Sequence, residues 1–309
     1  MKLQQLRYLC ETANQNLNLS KAAQKLHTSQ PAISKQIQQL EEELGVQIFI
    51  RNGKRIVSMT TPGQTIVQIA RRVLQESENI KKAAQEYTRE SGGSLTIATT
   101  HTQARYALPP VIKRFTALHP KVRLILRQGS PTQISELVTS GEADIAIATE
   151  AIEHFQELIM LPCYQWNRCV VVPPDHSLLT KTVLTLKAIS QHPIITYDFA
   201  FTGRSKINQA FEREGLSPNV VLTAIDSDVI KTYVELGLGI GILAKMAFDP
   251  RRDKQLRAID ASHLFEPSTT RIGISRNSYL QGFVFDFIEM FAPHLKKASV
   301  QSKLENQPD

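Results

Sequence analysis

The chain has 309 residues, of which 42% are hydrophobic and 21% charged, values that exclude a disordered or fibrous protein and allow a sizeable core. Its net charge of +7 is modest but uneven: residues 1–60 hold eight Lys/Arg against four Asp/Glu, so +4 of the +7 sits in a fifth of the chain. Such an asymmetry points that segment towards nucleic acid.

The first informative element is the short helix Leu19–Leu26, whose small Ala22-Ala23 pair lets a following helix cross closely. After about three connecting residues, Ser29 is a suitable N-cap and Pro31 falls in the first turn, where a missing N–H is harmless. Ile33, Ile37, Leu40 and Leu44 recur at 4-3-4 spacing and predict one apolar stripe. Pro31, Ser34, Lys35 and Gln38 lie opposite it, and Gly45 supplies a left-handed stop. Next, Ile48-Phe49-Ile50-Arg51 reads as a strand, Asn52-Gly53 as a hairpin turn, and Lys54 and Arg55 fall in the return strand. The pattern is a helix-turn-helix with a basic wing. Its candidate DNA contacts are Ser29, Gln30, Pro31, Ala32, Ser34, Lys35, Gln38, Arg51, Lys54 and Arg55.

The run Ala22-Ala23 … Ser29-Gln30-Pro31-Ala32-Ile33-Ser34 … Leu40-Glu41 … Leu44-Gly45 … Phe49 … Arg51 … Thr60-Thr61-Pro62-Gly63 resembles the winged helix of LysR-type transcriptional regulators. The resemblance implies double-stranded promoter DNA as partner, self-association into dimers and tetramers, and contact with RNA polymerase at activated promoters.

Thr61, as cap, and Pro62 open a long helix in which Ile66, Ala70, Val73, Ser77, Ile80, Ala84 and Tyr87 follow a heptad pattern that asks for a partner helix. Ser91-Gly92-Gly93-Ser94 reads as a linker. Beyond it, apolar strands are predicted at 95–98, 122–126, 143–148, 168–172, 194–197, 220–222, 240–243 and 271–274. Helices such as 111–117 and 134–139 lie between them. This alternation predicts parallel α/β sheets. Periodicity supports no more than α/β; the family resemblance implies two Rossmann-like lobes joined by two crossover strands, as in periplasmic binding proteins.

The expected fold is therefore α/β with an N-terminal all-α winged helix-turn-helix. The expected domains are a DNA-binding domain at 1–60, a dimerisation helix at 61–91 and an effector domain at 92–293. Within the last, lobe I covers about 93–162 and 268–292, and lobe II about 163–267. Residues 294–309 read as a polar, frayed tail.

Four turns rich in neutral donors suggest a small polar or anionic effector: Thr99–Gln103, Gly129–Gln133, Ala148–Glu150 and Phe201–Ser205. Thr99–Tyr106, Gly129–Gln133, Thr202–Ser205 and Asp228–Tyr233 resemble the branch of the LysR family that governs cysteine biosynthesis and sulfonate or sulfate-starvation genes. The resemblance implies a cleft that binds N- or O-acetylserine, or a sulfate- or thiosulfate-type anion, through Thr100, Thr102, Gln103, Thr149 and Thr202, and Ser130 in its donor-rich turn is a further candidate. No other cofactor and no metal is expected.

An enzyme is disfavoured. Gly237-Leu238-Gly239-Ile240-Gly241 follows a helix and precedes a strand, the reverse of a dinucleotide fingerprint, so it reads as a helix stop with close packing. No histidine pair has HExxH spacing and no serine sits in a GxSxG elbow. A transport-type solute-binding protein would explain the α/β body but not the winged helix. Met1–Gln5 has no export pattern and no apolar run reaches membrane length. Cys10, Cys163 and Cys169, an odd number without metal spacing, read as buried thiols of a reducing cytoplasm.

Overall fold

The structure, a computed structural model, describes residues 1–53, 55–87, 92–149, 155, 157–199 and 204–305. The chain divides into two bodies: Met1–Tyr87 with Asn277–Tyr279, and the remainder.

The first body runs α1 (Leu3–Asn14), α2 (Leu19–Lys25), α3 (Gln30–Leu44), an antiparallel hairpin of β1 (Phe49–Asn52) and β2 (Arg55–Met59), and α4 (Thr61–Tyr87). Side-chain oxygens start the short helices: Asn18 accepts from the Ser20 and Lys21 amides, and Ser29 from the Ala32 amide. Gly45 ends α3 at φ +69°, a conformation most residues avoid. Ala22, Ile33, Ile37 and Leu40 are buried with Leu9, Ile48 and Phe49 in one core. Leu44, expected on the same stripe, is 40% exposed instead, because the helix stops before the stripe meets anything further.

Thr60, not Thr61, caps α4: its hydroxyl accepts from the Gly63 amide at 2.9 Å while donating to the Gln47 carbonyl. Of the expected heptad positions, Ala70 turns inward with Val67 to close the first body's core, while Val73 and Ile80 stay exposed, in line with Ile69. The exposed apolar line on α4 thus runs through Ile69 where Ala70 was expected.

The second body holds two five-stranded sheets among the described residues. One is built from β3 (Gly93–Thr99), β4 (Val122–Gln128), β5 (Ile145–Ala148), β6 (Leu158–Trp166) and β12 (Ser268–Ser275), in the order β4-β3-β5-β12-β6. The other contains β7 (Arg168–Val172), β8 (Ile194–Tyr197), β9 (Val220–Ala224), β10 (Ile240–Ala244) and β11 (Arg257–Asp260), ordered β11-β7-β10-β8-β9. The chain crosses from one lobe to the other at Asn167 and returns between β11 and β12. Contrary to the expectation of parallel sheets, both are mixed: β12 runs antiparallel to β5 and β6, and β7 antiparallel to β10 and β11. The strands that carry the chain between lobes enter against the direction of the βαβ strands. β6 was not expected as a strand.

Helices α5 (Leu108–Leu118), α6 (Pro131–Thr139) and α10 (Gly282–Phe291) accompany the first lobe, and α7 (Leu186–Ser190), α8 (Arg204–Arg213) and α9 (Ser227–Glu235) the second. Gly93 and Ser94, expected in the linker, already pair with Val122 and Arg123 in β3; Ser91 lies outside the described residues. The tail expected to fray is helical over α11 (Lys297–Glu305), because Val300 is buried against the first lobe and Leu304 packs beside it. At Gly241 any Cβ would meet Val171 at 2.6 Å, so the glycine run is a packing device. Burial pushes the Cys10 thiol up to about 11 and those of Cys163 and Cys169 up to about 12. All three are protonated, inert core groups at neutral pH. No helix among the described residues is long and apolar enough to cross a membrane.

Candidate DNA interface and effector cleft

The outer face of α3 carries Pro31, Lys35 and Gln38 exposed, with Gln30, Ala32 and Ser34 half-buried beside them and Ser29 exposed at the cap. An exposed lysine flanked by an amide and small groups suits phosphates and base edges. Arg51 is different. Its guanidinium lies 3.3 Å from Glu41 Oε2 and donates to the Ser34 hydroxyl at 3.4 Å, and both ion-pair partners are largely buried. Glu41 Oε1 also accepts from the Ile48 and Phe49 amides at 2.9 and 3.0 Å. Arg51 and Ser34, read from sequence as DNA contacts, thus join α3 to the wing through Glu41. Arg55 is exposed on β2, and Lys54 lies outside the described residues.

In the second body, the helix after β3 begins at His101 and passes through one π turn, Gln103–Ala107, before α5. Gln103 is 1% exposed. Its amide nitrogen donates to Thr270 Oγ1 at 3.1 Å, and its carbonyl accepts from the Tyr164 hydroxyl at 2.6 Å. Both polar ends of its amide are thereby held by the first lobe.

Thr100, Thr102, Gln103, Thr149, Trp166, Tyr197 and Ile225 line one tight cleft with a cavity of about 20 Å³, room for about one water molecule. The first four belong to the first lobe, Tyr197 and Ile225 to the second, and Trp166 is the last residue of β6 before the crossover. Every described lining residue is formally neutral. Two lining groups, the Thr149 hydroxyl and the Trp166 indole N–H, are buried with no hydrogen-bond partner among the described residues. Such groups cost stability unless something pairs with them. Tyr197 shares a hydrogen bond with the Ser227 hydroxyl at 2.6 Å and accepts from the Ala244 amide at 3.1 Å. Burial raises its pKa in spite of these bonds and a further one with the Thr102 hydroxyl.

Ser130 is the N-cap of α6 in a reciprocal capping box with Gln133, and it is not among the cleft-lining residues. Thr202 lies outside the described residues. Trp166, Tyr197 and Ile225 were missed in the sequence reading. Tyr197 ends a strand that had been recognised, the position where α/β sheets offer ligand groups. Trp166 ends the strand that had not. His101, Asp226 and Asp228 converge closely enough to hold a cation. However, Asp226 caps α9 through the Val229 amide, and Asp228 is engaged by Arg105, Tyr106 and Lys231.

Residues 3–64 match the family model described as bacterial regulatory helix-turn-helix protein, lysR family, and residues 88–296 match the LysR substrate binding domain. The chain belongs to the LysR family of transcriptional regulators. It is 53% identical to the HTH-type transcriptional regulator SsuR of Burkholderia cenocepacia, over 98% of this chain and 99% of that one. It is 50% identical to CysB of the same organism, over 100% and 99%. To the regulator cbl of Escherichia coli it is 46% identical, over 94% and 92%. Among solved structures, the cofactor-binding domain of the Cbl regulator superposes at TM-score 0.69 with 44% identity, covering 71% of this chain and 96% of that one. A full-length OxyR variant from Pseudomonas aeruginosa gives TM-score 0.68 over 96% and 98%, and at 24% identity it speaks for the fold alone. Relatives of this LysR regulator are thus transcription factors, and sulfur-related control is in keeping with them.

Proposed function

We propose that this LysR regulator controls sulfur-assimilation genes, sensing a small oxyanion or an acetylserine in the cleft between its lobes. The observation that carries the reading is the pair of unpaired buried donors, Thr149 Oγ1 and Trp166 Nε1, facing one cavity beside the fixed Gln103 amide. Neutral donors suit a ligand with several acceptor oxygens, because they bind without the indiscriminate pull of a lysine. Thr100, Thr102, Gln103 and Thr149 would hold it from one lobe, across from Tyr197 on the other. DNA would be read through Gln30, Pro31, Lys35 and Gln38 on α3, with Arg55 of the wing on phosphate. The exposed line Ile69, Val73 and Ile80 on α4 would pair two chains.

A ligand gripped by both lobes favours one lobe arrangement, and only that differential affinity can alter how the dimer sits on DNA. A melting-temperature screen over N-acetylserine, O-acetylserine, sulfate and thiosulfate tests the reading, since selective binding raises the midpoint. No shift with any of the four would remove the sulfur assignment. A second reading, control of sulfonate or sulfate-starvation genes, is favoured by the 53% identity to SsuR. Footprinting on sulfonate-utilisation against cysteine-biosynthesis promoters separates the two.

A further inference from the structure

Three residues beyond Gln103 in the same π turn, Tyr106 leaves the first lobe altogether. Its ring packs against the buried cluster of the second lobe that includes Tyr197, Ile230 and Val234. Its hydroxyl donates to Asp228 Oδ1 at 2.6 Å and accepts from Lys231 Nζ at 3.1 Å. Lys231, 8% exposed, also donates to the Ala247 carbonyl and to Asp253 Oδ1, each at 3.0 Å, and lies 3.2 Å from Asp228. Arg105, the neighbour of Tyr106, meets the other Asp228 oxygen at 3.4 Å. Burial and the Asp228 hydrogen bond push the Tyr106 phenol up to about 12, which keeps it a donor at any physiological pH. The Asp228 carboxyl, although desolvation raises it, is held below the usual carboxylate range by Tyr106 and Lys231.

One turn of helix therefore has two ends. Gln103 faces the cleft, and Tyr106 is fixed in the second lobe by a charge-assisted pair of hydrogen bonds, the stronger class. A π turn adds a residue to the usual repeat and redirects side chains, which is why such turns gather at functional sites.

We propose that Tyr106 is a positioning residue for the effector cleft: clasped by Asp228 and Lys231, it fixes the turn bearing Thr102 and Gln103 and sets the lobe separation at which one ligand reaches both lobes. This rests on the effector reading of the cleft. It assigns Asp228 and Lys231 a role in ligand response without contact to the ligand.

Tyr106→Phe in the full-length protein keeps the ring and its packing and deletes only the oxygen. Trp166 is the sole tryptophan of the chain and lines the cleft, so its emission reports on this place alone. Without ligand, the Tyr106→Phe emission should shift to the red as water enters the cleft. In titrations followed by that emission, with sodium thiosulfate and separately with N-acetyl-L-serine, binding should weaken about tenfold, equivalent to about 1.4 kcal/mol. Operator affinity without ligand should stay as in wild type. Asp228→Asn, which leaves an acceptor for Tyr106 but removes the charge, should show the same changes to a smaller degree and guards against misfolding of the first variant. Wild-type emission and wild-type dissociation constants in both variants would overturn the proposal. If wild type binds neither probe, the effector reading fails on its own, while the ligand-free emission still decides whether Tyr106 sets the cleft.

Discussion

On α3, Pro31, Lys35 and Gln38 stand in solvent, whereas in the cleft Gln103 and Thr149 are 1% and 2% exposed. The exposed α3 side chains cost the free protein almost nothing, since water satisfies them. The cleft groups are held out of water in advance, and two of them have no partner among the described residues. A surface of the first kind can be changed with little effect on folding. In a cleft of the second kind, folding and binding are coupled, so substitutions there move stability and ligand response together.

The contrast breaks most visibly at α4. Val73 and Ile80 are exposed in the single chain, so Val73→Asp with Ile80→Asp should leave each chain folded yet abolish the dimer, and with it tight operator binding. Sedimentation should show monomers; a persisting dimer would place the pairing surface elsewhere.

The next largest effect separates structure from recognition inside the first body. Glu41→Ala strands the Ile48 and Phe49 amides and the Arg51 guanidinium, and should destabilise that body by about 2–4 kcal/mol in urea denaturation. Arg51→Ala should likewise appear first as lost stability. Lys35→Ala should change stability by less than about 0.5 kcal/mol. It should nevertheless weaken DNA binding and lower the log–log salt slope by about 1. If Arg51→Ala alters only the salt slope, its ion pair with Glu41 gives way on DNA and the sequence reading of Arg51 is the better one.

Differences in burial also explain which features could be read in advance. The spacing of Ile33, Ile37 and Leu40, the Ser29 cap and Gly45 identified α3 because amphipathic periodicity and capping are local properties. β7 and β8 were legible as continuous apolar runs. β6 was not: Pro162, Tyr164 and Gln165 interrupt its apolar pattern, and its pairing with β12 joins residues about a hundred positions apart. Missing that strand hid Trp166. The cleft threonines showed only as turn residues, and Ser130, with the same local signature, proved to be a helix cap. Nothing local distinguishes a cap from a ligand donor; only the fold around it does. The ion pair of Arg51 was hidden for a similar reason, since its partner Glu41 lies ten residues away on another element.

The central claim, that the cleft keeps a donor in wait for a ligand, is tested most directly by melting Thr149→Val with and without thiosulfate or N-acetylserine. Valine matches threonine in shape and removes only the unpaired hydroxyl. Without ligand, the variant should be as stable as wild type or more so, by up to about 1 kcal/mol, because a buried hydroxyl without a partner is a cost. With ligand, the rise in midpoint seen for wild type should shrink to that of a roughly tenfold weaker complex. A variant that is less stable without ligand yet keeps the full ligand-induced rise would contradict the account, because the hydroxyl would then serve the fold and not the effector.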